Sequence, residues 1–185
     1  EYYSNINKIG VAISGRSCPY KCNFCSSAKF WGHKLRLREP ENIVDEVDKL
    51  IKNYKINGLF FWDDAFTINM DRAVRICDLL IKNKLNISWW AHSRVNNINR
   101  ELVKIMKKAG CVHIDFGVES GSQKIINEVV KKNIKIEQVI QASNLCDEER
   151  IFSRFSFIIS HPEETIKEAR ETFDLMKKIK NKNNE

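Results

Sequence analysis

The chain has 185 residues, 43% of them hydrophobic and 30% charged, which excludes a disordered protein and allows one domain with a substantial core. No run approaches the roughly 20 apolar residues of a membrane span and no N-terminal pattern marks secretion, so we expect no membrane partner. The net charge is +7, from 31 Lys and Arg against 24 Asp and Glu, and we interpret the excess as solvated lysines on helix faces and in the polar tail.

Segments of strand type alternate with amphipathic segments of helical type along the chain. Apolar and β-branched composition predicts buried strands at 8–14, 57–64, 87–93, 111–120 and 150–160. Helical periodicity predicts the connections between them, the first at 38–54 and the last at 162–179. Inward positions of these helices are expected to include Ile43, Val47, Leu50, Ile51, Tyr54, Ala73, Val74, Cys77, Leu80, Ile81, Ile125, Ile126, Val129, Val139, Ile140 and Leu145.

Five strand–helix units with short connections predict an α/β fold with a parallel sheet, because each helix then serves as a right-handed crossover. Helices on both faces of the sheet explain the near-continuous apolar strands. The sheet is either doubly wound and open or part of a (β/α) barrel. Since a full eight-unit barrel needs about 250 residues, only an incomplete barrel fits. In both cases function belongs at the carboxyl ends of the strands.

Polar residues cluster at those predicted strand ends. They comprise a cysteine-rich loop after the first strand, Asp63 and Asp64 after the second, His92, Ser93 and Arg94 after the third, Glu119 after the fourth, and the segment 160–165 after the fifth. Chance would scatter polar residues over both ends of the sheet, so this one-sided distribution indicates an active site.

The cysteine-rich loop reads SCPYKCNFCSS and holds Cys18, Cys22 and Cys25, half of the chain's six cysteines. A disulfide would leave an odd thiol, and a zinc site normally takes four ligands, for which only His33 is nearby. The other three cysteines are placed like small buried hydrophobic residues. Three thiolates are able to hold three irons of a four-iron cluster and to leave the fourth iron open, as a catalytic site requires.

This loop resembles that of the radical S-adenosylmethionine (radical SAM) enzymes, which reads C-x-x-x-C-x-aromatic-C after the first barrel strand, and CPYKCNFC matches every defined position. The resemblance implies about five of the family's six barrel units. It also implies a four-iron four-sulfur cluster on Cys18, Cys22 and Cys25, with S-adenosylmethionine (SAM) on the open iron. Reductive cleavage of SAM then yields a 5′-deoxyadenosyl radical that abstracts hydrogen from substrate.

The resemblance further implies that SAM is bound through Phe24, Asp63, Asp64, Ser93, Arg94 and Glu119. The backbone of Phe24 lies against the adenine, and Glu119 of FGVESGS faces the ribose hydroxyls. The paired aspartates of FWDDAF hold the methionine ammonium, although a helix N-cap explains them too. Ser93 and Arg94 bind the methionine carboxylate or form a structural salt bridge.

One segment departs from the family pattern. The fifth strand often runs into Gly-Leu-Pro-Gly-Glu-Thr, whereas this chain has SHPEET, with Ser160 and Glu163 in place of the two glycines. Because glycine lets the backbone approach a ligand closely, we expect an altered or weakened adenine contact here. His33, His92 and His161 are candidates for substrate contact, against the simpler interpretation as surface or core histidines.

The chain most resembles the cobalamin-associated branch of the family in three segments, FWDDAF, FGVESGS and SHPEET, the last being a degenerate form of PGET. Its members carry a cobalamin-binding domain before the barrel, and many transfer methyl groups to unactivated carbon or phosphorus. We therefore expect residues 1–185 to be the radical SAM core of a longer protein, with any cobalamin domain and the sixth strand outside the chain. Cobalamin-assisted methyl transfer is the leading reaction, and ring formation, rearrangement and thiomethylation are the alternatives.

Two other functions stay open at this point. A nucleic-acid-binding module with zinc or an iron–sulfur cluster would use Trp89 and Trp90 as stacking platforms. Adjacent tryptophans on a buried strand are usually core residues, so nucleic acid is not the expected partner. A fragment that binds a cluster without cleaving SAM is the second. The thiolates need reducing conditions, which points to the cytoplasm, and an external one-electron donor such as a flavodoxin or ferredoxin is implied.

Overall fold

A computed structural model describes residues 5–179. The elements are β1 (Ile9–Ala12), β2 (Gly15–Arg16), α1 (Ser27–Trp31), β3 (Arg36–Leu37), α2 (Pro40–Tyr54), β4 (Gly58–Phe61), a 3₁₀ turn (Phe66–Ile68), α3 (Met70–Lys82), β5 (Ser88–Ser93), α4 (Arg100–Lys108), β6 (Cys111–Glu119), a π-helix (Ile125–Val130), α5 (Ile136–Glu148), β7 (Phe152–Phe157) and α6 (Ile166–Lys178). None of the helices within residues 5–179 is long and apolar enough to cross a membrane.

The main sheet has five strands in the order β1-β4-β5-β6-β7, and all four neighbouring pairs are parallel. A doubly wound sheet contains a point where the strand order reverses, whereas here the spatial order follows the chain without reversal. This order is that of a (β/α) barrel opened along one side. The predicted α/β fold with an incomplete parallel barrel is confirmed.

The helices form a single layer on one face of the sheet, where α2 contacts α3, α3 contacts α4 and α4 contacts α5. The opposite, concave face has no helix among the described residues, and Ile9, Val11 and Trp62 are 55%, 51% and 59% exposed there. The prediction that helices cover both faces is wrong, because without a reversal of strand order every right-handed crossover falls on the same side.

Aromatic side chains fill the core between the sheet and its helices. Phe61, Phe66 and Trp89 are fully buried, and their ring centroids lie 4.7–5.3 Å apart. The Trp89 indole donates to the Ala109 carbonyl at 2.8 Å, so its only polar group has a partner. Most predicted inward positions are buried or partly buried. Tyr54 and Ile81, which are 60% and 40% exposed, are the exceptions and lie in the last turns of their helices.

Two features next to the site were not predicted from the sequence: a hairpin, and the π-helical form of the helical stretch predicted around Ile125, Ile126 and Val129. The first is an antiparallel hairpin in which Gly15 pairs with Leu37 and Arg16 with Arg36, and it closes the base of the cysteine loop. The second is the π-helix Ile125–Val130, which ends at Lys131 in a left-handed conformation. π-helical turns are frequent at functional sites, and this one lies next to the cysteine loop.

Candidate active site at the carboxyl ends of the strands

The cysteine loop follows β1 and is attached to the ends of neighbouring elements. The Asn23 N–H donates to the Val130 carbonyl of the π-helix at 2.9 Å. The Ser27 hydroxyl donates to Asp64 Oδ2, just beyond β4, at 2.7 Å. The loop therefore lies over the carboxyl ends of the sheet.

Arg94, which follows β5, directs its guanidinium at the cysteine loop. Its Nη1 lies 3.5 Å from Cys22 Sγ, and its Cζ lies 3.7 Å from the centre of the Tyr20 ring. Its Nη2 donates to the Lys132 carbonyl, which fixes the guanidinium in place. Arg94 therefore holds the cysteine loop next to the residues that follow the π-helix. Binding of the methionine carboxylate by Arg94 stays a prediction.

The three cysteines of the loop differ in exposure. Cys25 is exposed, whereas Cys18 and Cys22 are partly buried. Burial raises the pKa of the Cys18 thiol, while a backbone hydrogen bond at Tyr20 and the charge of Arg94 act in the opposite direction. Because a metal must displace the thiol proton, binding at Cys18 is coupled to proton release.

The other three cysteines are fully buried in the core. Burial raises the pKa of Cys77 and of Cys146 to about 12, and it raises the pKa of Cys111 well above its ordinary value. They stay protonated at physiological pH and pack as small apolar side chains. This agrees with their predicted role and leaves the loop cysteines as the ligand candidates.

The donor set of the loop fits an iron–sulfur cluster by its chemistry. Within residues 5–179 no group of three or more His, Cys, Asp or Glu side chains is placed to hold one metal ion together. A zinc ion needs all its ligands at about 2.0–2.3 Å from one point. In a four-iron cluster each thiolate binds a different iron, so the thiolates stay apart.

The two aspartates of FWDDAF have different surroundings. Asp63 is 4% exposed, accepts from the Ser14 backbone N–H at 2.7 Å with Oδ1 and accepts from the Ser14 hydroxyl with Oδ2. Asp64 is exposed and accepts from Ser27 with one oxygen. Both oxygens of Asp63 therefore hold the end of β1, and Asp64 is the carboxylate that faces solvent next to the cysteine loop.

The pKa of Asp63 gives a testable pH dependence. Burial raises it above 3.8, although hydrogen bonds from Ser14 and the charge of Arg72 oppose the shift. The folded protein then binds this proton more tightly than the unfolded chain, so the contribution of Asp63 to the free energy of unfolding decreases as pH rises above 3.8. We expect the free energy of unfolding of the wild type, measured by urea denaturation, to fall relative to that of Asp63→Asn as pH rises from 3.8 to neutrality. The asparagine variant is the reference because its side chain does not titrate.

Asp64→Asn is the control for this pH dependence of stability, because it removes an aspartate charge at an exposed position next to Asp63. A wild-type advantage over Asp63→Asn that is constant with pH would contradict the assigned direction of the pKa shift.

Glu119 ends β6 at an irregular position. Its φ is +75°, and the register with β7 shifts between Gly117 and Glu119. Its Oε1 lies 2.7 Å from Lys132 Nζ, and both side chains are 8% exposed. Lys132 Nζ is also 5.8 Å from the centre of the Phe24 ring. The structure thus brings Phe24 and Glu119 together through Lys132, next to the cysteine loop.

Ser93 is a buried member of the predicted site residues. It is 5% exposed, and its hydroxyl pairs with the Thr67 hydroxyl and donates to the Arg94 carbonyl at 3.3 Å. The observed contacts fix the end of β5 to the 3₁₀ turn. Binding of the methionine carboxylate by Ser93 stays a prediction that competes with these hydrogen bonds.

The SHPEET segment keeps the backbone of a glycine turn. Ser160 and Glu163, which replace the two glycines, have φ of +69° and +66°, in the left-handed region that favours glycine. Glu164 Oε2 accepts from the Ser160 and His161 backbone N–H groups at 2.5 and 3.2 Å. The turn is preserved at a cost in backbone strain, with two side chains where glycines would leave open space.

A polar row crosses the concave face, one residue before the end of β5, four before the end of β6 and three before the end of β7. His92, Asp115 and Arg154 are paired across β5, β6 and β7. Asp115 Oδ1 lies 2.5 Å from Arg154 Nε, and its Oδ2 lies 3.8 Å from His92 Nε2. Burial raises the pKa of Asp115, but His113, Arg154 and His92 outweigh burial and hold that pKa below its ordinary value. The row borders a cavity of about 430 Å³ that Phe60, Trp62 and Trp90 also line.

The histidine candidates are distributed unevenly around this face. His92 lies in the row, and its Nδ1 is 3.3 Å from the Asp63 carbonyl. His161 Nε2 lies 3.2 Å from the Glu119 carbonyl, and His33 is exposed in the cysteine loop. A larger cavity of about 600 Å³ opens at the amino ends of the strands, and none of the predicted site residues lines it. We assign the site to the carboxyl ends, where the cysteines lie.

The sequence analysis did not select Lys132, Asp115 or Arg154. Lys132 lies beyond the irregular turn after the π-helix, which helical periodicity does not reveal. Asp115 lies within β6 and Arg154 within β7. A charged residue inside a mainly apolar strand is unusual, and this could have indicated both positions from the sequence.

Comparison with known proteins identifies the family. The sequence profile of the Radical SAM superfamily matches residues 12–176. An uncharacterized methyltransferase of Pyrococcus horikoshii is 38% identical over 92% of this chain and 37% of its own length. The anaerobic magnesium-protoporphyrin IX monomethyl ester cyclase of Rubrivivax gelatinosus is 32% identical over 94% of this chain and 31% of its own length. The chain therefore spans about a third of these curated relatives.

A solved structure gives the same result for the fold. TsrM from Kitasatospora setae, a radical SAM methyltransferase solved with cobalamin and a [4Fe-4S] cluster bound, superposes with a TM-score of 0.86 at 18% identity. The match covers 92% of this chain and 34% of TsrM. The fold, the cysteine loop and the family profile agree, and the chain belongs to the radical SAM superfamily.

Proposed function

We propose that this chain is the catalytic barrel of a radical SAM enzyme that cleaves SAM at a four-iron four-sulfur cluster held by Cys18, Cys22 and Cys25. The observation that carries the proposal is the cysteine loop, fixed over the strand ends with the Arg94 cation 3.5 Å from Cys22 Sγ. When bound and reduced, the cluster supplies the electron that breaks the sulfonium C–S bond of SAM.

The protein's own contribution is to bind and orient SAM beside the loop. The exposed carboxylate of Asp64 is an acceptor for the methionine ammonium, and the Phe24 backbone borders the adenine position. Glu119 is an acceptor for the ribose hydroxyls, and Lys132 holds its carboxylate at 2.7 Å. Asp63, Ser93 and Arg94 support these groups through the contacts they make within the fold.

The concave face is the proposed substrate site. Its polar row of His92, Asp115 and Arg154 lies one to four residues before the ends of β5, β6 and β7, which carry cofactor candidates on β5 and β6. Cobalamin-assisted methyl transfer is the proposed reaction, supported by the similarity to a methyltransferase and to TsrM. Similarity to a cyclase at 32% identity keeps ring formation as the alternative.

Three further proposals concern the whole protein. Residues 1–185 are the radical SAM core of a longer chain, which the coverage of about a third of the relatives supports, with any cobalamin domain outside these residues. The thiolates require reducing conditions, so the proposed location is the cytoplasm. An external one-electron donor of the flavodoxin or ferredoxin class supplies the reducing electron.

The test is SAM cleavage by the isolated chain. The chain is purified without oxygen, reconstituted with iron and sulfide, reduced with dithionite and given SAM, and 5′-deoxyadenosine is measured by chromatography. We expect iron binding and deoxyadenosine release. A chain that binds zinc but no iron would contradict the proposal. A cluster without cleavage would direct attention to the SHPEET turn and to parts of the protein outside these residues.

The SHPEET turn gives a prediction of its own. Ser160→Gly with Glu163→Gly keeps the left-handed backbone and removes two side chains, so the backbone is able to approach the adenine more closely. We expect a lower dissociation constant for SAM, measured by equilibrium dialysis on the reconstituted chain. Ser156→Gly, on the preceding strand, is the control for the loss of a side chain. A weaker SAM affinity in the double variant would show that Ser160 or Glu163 contacts the cofactor itself.

A further inference from the structure

The positive charge of the chain is concentrated in the segment 15–38, which contains the cysteine loop. Residues 15–38 contain six Lys and Arg and no Asp or Glu. Setting these six aside from the 31 basic residues leaves 25 against 24 acidic ones, so the rest of the chain is close to neutral. The interpretation of the charge excess as solvated lysines on helix faces and in the tail is therefore incomplete, because this segment alone accounts for nearly all of it.

The charges of this segment are accessible. All six side chains belong to exposed residues, and within residues 5–179 only Arg38 forms an ion pair, with Glu46 at 2.6 Å. The five that remain uncompensated are Arg16, Lys21, Lys29, Lys34 and Arg36. An exposed segment with this excess of positive charge attracts an anionic partner.

The hairpin at the base of the loop places two of these charges in direct opposition. Arg16 and Arg36 are cross-strand partners, and like charges in this arrangement destabilise a sheet. Both reach Trp31: Arg16 Cζ lies 5.5 Å from its ring centroid, and Arg36 Nη1 donates to its carbonyl at 3.2 Å. The two arginines thus stay side by side despite their like charges, one near the Trp31 ring and the other on the Trp31 backbone carbonyl.

Three aromatic rings are exposed within this charged segment, namely Phe24 and two neighbouring rings of α1. Phe30 is 81% exposed and Trp31 is 40% exposed, and their centroids lie 5.6 Å apart. They belong to α1, which buries none of its residues, so the helix does not contribute to the core. Exposed apolar groups bordered by charges are typical of protein–protein contacts.

We propose that the basic loop surface, defined as Arg16, Lys21, Lys29, Lys34 and Arg36 with Phe30 and Trp31, binds the acidic face of the protein that delivers electrons to the cluster. The inference rests on the proposed function, because it requires a cluster in the loop. One electron leaves the donor's flavin hydroquinone, which becomes a semiquinone, and reduces the oxidised cluster. Charge attraction speeds such encounters, and redox complexes use small interfaces.

A redox protein fits this surface better than a nucleic acid does. The charges lie on the segment that carries Cys18, Cys22 and Cys25, where a donor must come close. Binding of a nucleic acid does not require proximity to these cysteines. Moreover, Trp89, considered above as a stacking platform, is fully buried.

The first test measures binding without turnover. The dissociation constant of oxidised flavodoxin for the reconstituted chain is determined by calorimetry at low and high salt. Lys29→Glu with Lys34→Glu should weaken binding about tenfold or more at low salt and flatten the salt dependence. The control, Lys49→Glu with Lys104→Glu, makes the same change in net charge at exposed positions on α2 and α4. It should leave the affinity nearly unchanged.

A second measurement distinguishes an effect on donor binding from an effect on SAM cleavage. With dithionite or reduced methyl viologen, both double variants should form deoxyadenosine at the wild-type rate. With reduced flavodoxin, its reductase and NADPH, only the loop variant should need more donor. If the wild type binds zinc but no iron, the proposed function fails, while the calorimetry still decides whether flavodoxin binds here.

Three outcomes would overturn the inference. The first is equal weakening of flavodoxin binding in both double variants, which would indicate an effect of net charge alone. The second is loss of iron from the loop variant with unchanged flavodoxin affinity, which would assign the charges to the cluster. The third is tighter binding of a single-stranded RNA oligonucleotide than of flavodoxin, lost in the loop variant, which would assign the surface to nucleic acid.

Discussion

Replacing Cys18, Cys22 or Cys25 with alanine is expected to reduce deoxyadenosine formation to the level of protein without iron. In the proposed site each thiolate would hold one iron, so the loss of one thiolate would leave the cluster with too few protein ligands and destabilise it. Iron and sulfide content after reconstitution, the absorbance of the cluster and deoxyadenosine formation should decrease together in all three variants.

The chain supplies matched controls in its other cysteines. Cys77→Ala, Cys111→Ala and Cys146→Ala remove buried thiols that pack as apolar groups, so each should retain iron and lose about 1 kcal/mol of stability. Retention of full iron content by any of the three loop variants, or its loss in a core variant that remains folded, would contradict the assignment of ligands.

Lys132→Met is expected to lower the free energy of unfolding by about 3–5 kcal/mol, because it leaves the buried carboxylate of Glu119 without its partner. Urea denaturation of the chain measures this loss. The double variant, Lys132→Met with Glu119→Gln, removes both charges and should recover most of the stability. Its SAM affinity should stay low, since the proposed ribose acceptor has lost its charge.

An exposed ion pair shows what the same change costs at the surface. Lys52 Nζ lies 2.6 Å from Asp48 Oδ2 on α2, where both groups contact solvent. Lys52→Met should cost less than about 1 kcal/mol. If Lys132→Met costs no more than Lys52→Met, the Glu119 pair is hydrated and does not organise the site. Recovery of SAM affinity in the double variant would instead limit the pair to a structural role.

The order of elements and the location of the site were predictable because both depend on local patterns. Apolar strands, amphipathic helices and the C-x-x-x-C-x-aromatic-C spacing are written in consecutive residues. Within the helix predicted at 38–54, Pro40 is the first residue of α2, as the residue type favours, and Gly110 follows α4 with φ of +95°, a conformation typical of glycine after a helix end.

The differences between the two aspartates and the role of Lys132 were not predictable, because they depend on tertiary contacts. Nothing in FWDDAF distinguishes Asp63 from Asp64. Only packing of the β4 end against Ser14 shows that one carboxylate is enclosed while the other faces solvent. Similarly, Lys132 reaches Glu119 across 13 positions of sequence through a π-helix that periodicity does not reveal.

The strand order β1-β4-β5-β6-β7 leaves an edge at each end of the sheet, and an edge strand is a template for aggregation. β1 is only four residues long, which limits its ability to recruit another chain. β7 has six residues, and its sequence FSRFSF carries one charge, Arg154. Arg154, which pairs with Asp115 on the concave face, is also the one charge on this edge strand. We therefore expect a substitution at this position to change the solubility of the chain together with the chemistry of the concave face.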